Sequence, residues 1–312
     1  MDFQKIFSDR KVVFACATLC CFLWGSAYPA IKIGYELLSI ERSDIAAQLV
    51  FAGWRFVFAG LVLLIFAHFA GLKVFSFAKG QARDVVILGL WQTAFQYVFF
   101  YVGVANATGV KASIMNATGV FFSVLLAHFI YQNDKLTPLK ALGCLLGFIG
   151  VMVVNFKPGA FDLEFSLMGE GFVVIAAFVL SAAVIFGKRL SQRMNAIVMT
   201  GWQLGIGGVA LTVVGMLSGG HMGPIGFEAG ALLAYMVLLS SVAFALWGIL
   251  MKFNPVGLVA TFQFLIPVAG VLLSGLFLGE TILETKNLVA LVLVCVGIWL
   301  VTRTVRAKTV SE

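Results

Sequence analysis

Charge is scarce in this sequence: Asp, Glu, Lys and Arg make up 11% of its 312 residues, against about 25% in an ordinary soluble domain. With 61% of the residues hydrophobic, that shortage excludes a soluble fold, because a chain of this length has no interior able to hide so much apolar surface. The fourteen acids all fall between apolar runs or at their ends, Glu280 and Asp134 being closest to a membrane. Transport driven by a carboxylate buried within a span is therefore weakened as a reading, and proton coupling is left open. The five cysteines, Cys16, Cys20, Cys21, Cys144 and Cys295, sit inside apolar runs without a CxxC pair, so small buried thiols are expected rather than disulfides or zinc. No HExxH helix, GxSxG elbow or paired acids stand in the chain, which argues against a membrane enzyme, and no cofactor or metal is expected. His68 and His128 lie near the ends of apolar runs and are read as interfacial.

What is abundant is length of apolar sequence. Runs of about twenty residues, the span of a 30 Å hydrocarbon core at 1.5 Å per residue, predict helices at 12–34, 46–70, 84–104, 107–130, 137–156, 168–187, 195–218, 229–251, 256–279 and 286–303. The lipid bilayer is thus the expected surrounding. The first run is too long for a signal peptide, and Pro29 and Lys32 follow where a cleavage site would stand, so it is kept as a mature helix. The net charge of +7 has no basic stretch with interleaved aromatics behind it, so nucleic acid is not an expected partner. It is a topology signal instead. With the N-terminus inside, fifteen of the twenty-one Lys and Arg fall on inside segments, Arg42, Lys157 and Lys286 on outside ones, and Lys32, Arg55 and Lys111 within spans. That skew places both termini in the cytoplasm.

The chain also repeats itself. WRFVFAG (Trp54 to Gly60) is echoed by WQLGIGG (Trp202 to Gly208), and DKLTPLKALGCLLGFIGVMVVN from Asp134 by ETILETKNLVALVLVCVGIWLVT from Glu280. The offsets, 148 and 146 residues, agree within a short indel, whereas chance likeness between Gly-, Leu- and Val-rich helices would share none. Residues 1–156 and 157–312 are therefore expected to be two five-helix units. Because five is odd, the second enters the membrane from the opposite side, the inverted arrangement on which alternating access is built.

WGSAYPAIKIG (Trp24 to Gly34), the WRF stretch with Gly60, and IPVAGVLLSGLFLGE (Ile266 to Glu280) resemble EamA-type permeases of the drug/metabolite transporter superfamily. The resemblance covers nearly the whole chain, although in the first half Phe121 stands where the second half has Pro267, and Asp134 where it has Glu280. It implies an all-α polytopic fold of ten helices in a bacterial inner membrane, moving amino acids, related small solutes or toxic compounds, usually outward. A multidrug efflux permease and a passive channel-like facilitator are the alternatives. No coiled-coil heptad speaks for a second chain.

Polar groups at membrane depth should face the bundle interior or a wet cavity. The candidates for solute binding are Trp24, Arg55, Trp91, Gln92, Gln96, Ser113, Asn116, Trp202, Gln203, Trp247 and Gln263, with Ser240 and Ser241 also at depth. Gln92 and Gln96 share a helix face, as do Ser113 and Asn116; each residue is equally open to bonding a neighbouring helix. Pro29 and Pro267 interrupt helices one and nine and are candidate hinges or gates, against static kinks. Glycines such as Gly143, Gly147 and Gly150 are read as close helix contacts. Lys32 and Lys111 are expected to snorkel outward. Arg55 lies roughly 13 Å inside the outer helix end at 1.5 Å per residue, with no acid in a span to neutralise it, and is a candidate anchor for an anionic group.

Overall fold

The computed structural model describes residues 3–41, 43–107, 109–154, 165–278 and 285–309. Expectations that fall on Arg42, Lys157 and Glu280, and on the side chains of Lys111 and Ser113, lie outside the described residues. Among the described residues the secondary structure is helical throughout, with no strand. After a short helix at Phe3–Ser8 come α1 (Arg10–Leu37), α2 (Ile45–Phe69), α3 (Gln81–Ala105), α4 (Gly109–Ile130), α5 (Pro138–Val154), α6 (Leu167–Ser191), α7 (Ala196–Leu217), α8 (Phe227–Phe253), α9 (256–278) and α10 (Thr285–Thr309). Seven of these, α1, α2, α3, α6, α7, α8 and α10, contain stretches long and apolar enough to cross a membrane; the remaining apolar stretches, Ile114–Ile130, Pro138–Val153 and Val256–Gly270, are shorter.

The ends of the helices follow from local chemistry. Asp9 begins α1 by accepting from the Lys11 and Val12 amides, and Asn195 begins α7 by accepting from Ile197 and Val198, each satisfying donors that a first helical turn leaves orphaned. Glycines in the left-handed region stop α2 and α7: Gly71 has φ 76° and Gly219 φ 86°, conformations that cost an L side chain energy. After each glycine the next amide reaches back to the helix, Leu72 to the Ala67 carbonyl and Gly220 to that of Gly215, both at 2.9 Å.

Pro29 does not break α1, which runs continuously from Arg10 to Leu37. Its missing amide removes one bond from a 28-residue helix, and neighbouring turns hold the rest. Pro267 lies in the first turn of Leu265–Leu278; the irregularity in α9 comes earlier, in the 3₁₀ turn Phe262–Phe264. α3 carries a π-helical stretch, Gly89–Phe95, and α6 opens on another, Leu167–Gly171.

Packing is densest between α2 and α7, then between α5 and α10; α1 lies against α8 and α9, and α6 against α3 and α4. Small residues bring the backbones together. A Cβ on Gly60 would meet the Gly205 amide nitrogen at 2.5 Å and the Gly201 carbonyl at 2.6 Å, and one on Gly208 would meet the Val57 amide at 2.5 Å and the Gly53 carbonyl at 2.8 Å. Phe51, Phe56, Leu204 and Leu211 fill the space alongside. One end of the bundle holds Phe3–Ser8, tied to the end of α8 by Asn254, whose amide donates to the Phe7 carbonyl at 2.8 Å. The same end, the basic end of the bundle, carries Lys188, Arg189, Arg193 and Lys252.

Candidate functional site

Between the helices lies a central cavity with about 180 Å³ of water-accessible space. Residues of α1, α2, α3, α4, α6, α8 and α9 line it. Gly25, on α1, allows this geometry by letting that helix lie against α9: a Cβ there would come 2.7 Å from that of Ala269.

Arg55, 3% exposed, reaches the cavity from α2. Its Nε donates to the Ser240 hydroxyl at 2.8 Å, and Ser240 in turn donates to the Met236 carbonyl within its own helix, also at 2.8 Å. The guanidinium lies 4.6 Å from the centre of the Phe56 ring, a favourable cation–π distance. No acceptor among the described residues meets the other four of its five N–H groups. Tyr101 also lines the cavity wall. Bonding to a neighbouring helix, the alternative to a solute role, is thus present at Arg55 as one bond to a serine hydroxyl of α8.

Aromatic rings form one wall. Trp24 meets Phe244 edge-on with centroids 5.4 Å apart and Trp247 at 5.0 Å, and Phe56 packs on Tyr97 at 4.8 Å. Gln92, Gln96 and Asn116 line the cavity from α3 and α4, and Gln263 and Pro267 from α9. The π-helical stretch of α3 contains Gln92 and ends next to Gln96; such turns recur at functional positions because they re-aim side chains. Ser123 donates to Ser181 at 3.1 Å, and Ser181 to the Gly119 carbonyl at 2.9 Å, closing the α4–α6 side with satisfied hydroxyls.

The structure thus gathers Trp24, Arg55, Gln92, Gln96, Asn116, Trp247, Gln263 and Pro267 around one space. Trp91, Trp202, Gln203 and Pro29 stand apart from its lining. Trp91 is turned to the outside of the bundle beside Phe186. Trp202 packs between Phe75 and Phe77 and donates its indole N–H to the Val74 carbonyl at 2.9 Å, fastening the α2–α3 connection to α7. Gln203, 2% exposed, donates to Thr93 at 3.0 Å and ties α7 to α3. Pro29 is buried within α1. Reading the sequence passed over Tyr97, Phe100, Tyr101, Ser123, Ser181 and Phe244, which also line the cavity. Spacing offered one signal for them: Gln96, Phe100 and the pair Tyr97 and Tyr101 recur at intervals of four along one face of α3.

A cavity inside a bundle of apolar helices, with polar groups at membrane depth, is the architecture of a multi-pass membrane transporter of small solutes, and comparison with known proteins agrees. The pattern of the EamA-like transporter family matches residues 12–156 and 167–303; the chain belongs to that family. It is 27% identical over 191 residues, 61% of this chain and 62% of the other, to a Bacillus subtilis (strain 168) chain described as an uncharacterized transporter, YoaV. Over 305 residues it is 24% identical to a "Probable amino-acid metabolite efflux pump" of Salmonella typhimurium (strain LT2), covering 91% of this chain and 92% of that one. A solved structure titled only "Crystal structure of protein" shares the fold, with TM-score 0.80 and 18% identity over 96% of this chain and 99% of that one.

Proposed function

We propose that the chain is an inner-membrane carrier that exports amino acids or related organic solutes by alternating access, and that Arg55 holds the solute's anionic group. The observation that carries this reading is the buried, cavity-facing guanidinium, four of whose N–H groups meet no acceptor among the described residues, set among aromatic rings and amides. Such a cation is expensive at membrane depth unless something anionic or water meets it, and a guanidinium fork matches a carboxylate in two parallel bonds. The rings of Trp24, Phe244 and Trp247 offer the apolar part of a solute a place to rest. The cavity, with about 180 Å³ of water-accessible space, has room for a small organic solute. Similarity to the Salmonella efflux protein supports the same solute class and outward direction.

Ten membrane-crossing helices in two inverted units, 1–156 and 157–312, would supply the two states. Reciprocity of the helix contacts supports this. Subtracting 148 from Gly208, Gly201 and Gly205 returns Gly60, Gly53 and Val57, so the contacts of Gly60 with Gly201 and Gly205 become those of Gly208 with Gly53 and Val57. The helix stops Gly71 and Gly219 obey the same offset, as do the bonds from Leu72 to Ala67 and from Gly220 to Gly215. Exchanging each helix with the one five places along also turns the packing of α1 on α8 and α9 into that of α6 on α3 and α4. In this reading the basic end and both termini are cytoplasmic. Two measurements test the proposal. Purified protein in liposomes, screened against amino acids, organic anions and cationic dyes, is expected to carry a carboxylate-bearing solute; transport of cationic dyes alone contradicts it. A cysteine placed at Arg306 is expected to resist an impermeant thiol reagent applied outside intact cells, and its labelling would overturn the orientation.

A further inference from the structure

A second cavity, of about 320 Å³, opens at the basic end. It is lined by residues that follow α4 (Tyr131, Asn133, Asp134), by the end of α6 (Lys188, Arg189) and by the α8–α9 junction from Lys252 onward. The same four helices, α4, α6, α8 and α9, also line the central cavity. Met251 marks the division: it lines the central cavity, while its carbonyl accepts from Lys188 Nζ at 2.5 Å.

The charge in this second cavity is unbalanced. Among the described residues Asp134 is the one acid in its lining, and both carboxylate oxygens are committed, Oδ1 to the buried Lys140 ammonium and Oδ2 to the Gly257 amide at 2.8 Å. Lys188 donates to the carbonyls of Met251 and Asn254, and Lys252 to that of Met194 at 3.1 Å. Carbonyls at a helix end carry partial charge only. Arg189, beside Tyr131, is exposed. A topology signal needs basic residues at this end but not half-buried lysines around a cavity.

We propose that the cavity at the basic end is a binding site for a single carboxylate or phosphate group, held by Lys188, Arg189 and Lys252. It stands whether or not Arg55 holds a transported solute. The group comes either from a soluble anion or from the headgroup of an anionic lipid, since the cavity sits where such headgroups lie in a cytoplasmic leaflet.

Asn133→Cys, in the exposed turn at the cavity mouth, provides the probe. In nanodiscs of phosphatidylcholine, a negatively charged methanethiosulfonate is expected to label this cysteine several-fold faster than a positively charged one. Arg189→Gln, which alters an exposed side chain, should reduce that preference, and Lys188→Gln should reduce it further. Millimolar inorganic phosphate or acetate should slow labelling by an uncharged maleimide in the same discs if the group is a soluble anion. Slowing in phosphatidylglycerol discs without added phosphate would assign it to a lipid headgroup. Equal rates for the two charged reagents, or no protection by phosphate, acetate or phosphatidylglycerol, would overturn the proposal.

Discussion

Replacing Arg55 by Gln removes the guanidinium while leaving a side chain able to hydrogen-bond. In the structure Arg55 spends one N–H on Ser240, which keeps its own bond to Met236, so the loss to the fold is modest, about 1 kcal/mol for one hydrogen bond. The loss to a bound carboxylate is larger, about 1.5–3 kcal/mol for a charge-assisted bond, or roughly a 10- to 150-fold weaker dissociation constant at about 1.4 kcal/mol per decade. Arg55→Lys keeps the charge but not the planar fork, and is expected to recover part of that affinity. Equilibrium binding of the solute to purified protein reads the effect, with a thermal melt of each variant to show that it is folded. Unchanged affinity and transport in folded Arg55→Gln would refute the reasoning and leave the residue a purely structural role.

Three further perturbations test separate parts of the account. Gly60→Ala and Gly208→Ala each press a methyl against a backbone nitrogen of the facing helix at 2.5 Å, so both should lower stability, by about 1–3 kcal/mol each, the usual cost of overpacking; a melt in which one of the two is neutral would break the reciprocity of α2 and α7. Asp134→Asn leaves the 3% exposed Lys140 without its partner, and removing one member of a buried pair costs about 3–5 kcal/mol; the variant should unfold at markedly lower temperature, and retention of the wild-type melting point would count against the pair's burial. Trp202→Phe orphans the Val74 carbonyl, so proteolysis of residues 70–80 should quicken while solute affinity stays constant; an altered affinity would place Trp202 in the binding site after all.

Much of the fold was legible because membrane helices declare themselves by length of apolar sequence. Among the described residues helical structure falls within each of the ten predicted ranges, and seven of those helices are long and apolar enough to cross a membrane. Where the reading slipped, the cause was local backbone chemistry. Pro29, a candidate hinge or static kink within the helix expected at 12–34, leaves α1 continuous, and nothing in GLWQTAF announces the π-helical stretch within α3. For the cavity, depth and polarity singled out Arg55, Gln92, Gln96, Asn116 and Gln263. The same two criteria also selected Trp202 and Gln203, whose partners, Val74 and Thr93, lie 128 and 110 residues earlier in the chain. Distant pairings of that kind have no signature in a single sequence. Trp54 and Trp202 show the limit of the repeat as well: they are equivalent by offset, but Trp54 lies in an apolar outer groove with Phe58 while Trp202 clamps a loop.

The most direct test of a carrier is counterflow. Liposomes holding purified protein and loaded with millimolar unlabelled solute would be diluted into trace labelled solute. A carrier that alternates between two accessible states should accumulate label transiently above its equilibrium level, with an exchange rate that saturates as internal solute rises and that falls in Arg55→Gln. Label that merely equilibrates, at a rate linear in concentration and equal in the Arg55→Gln protein, would contradict both alternating access and the role of Arg55.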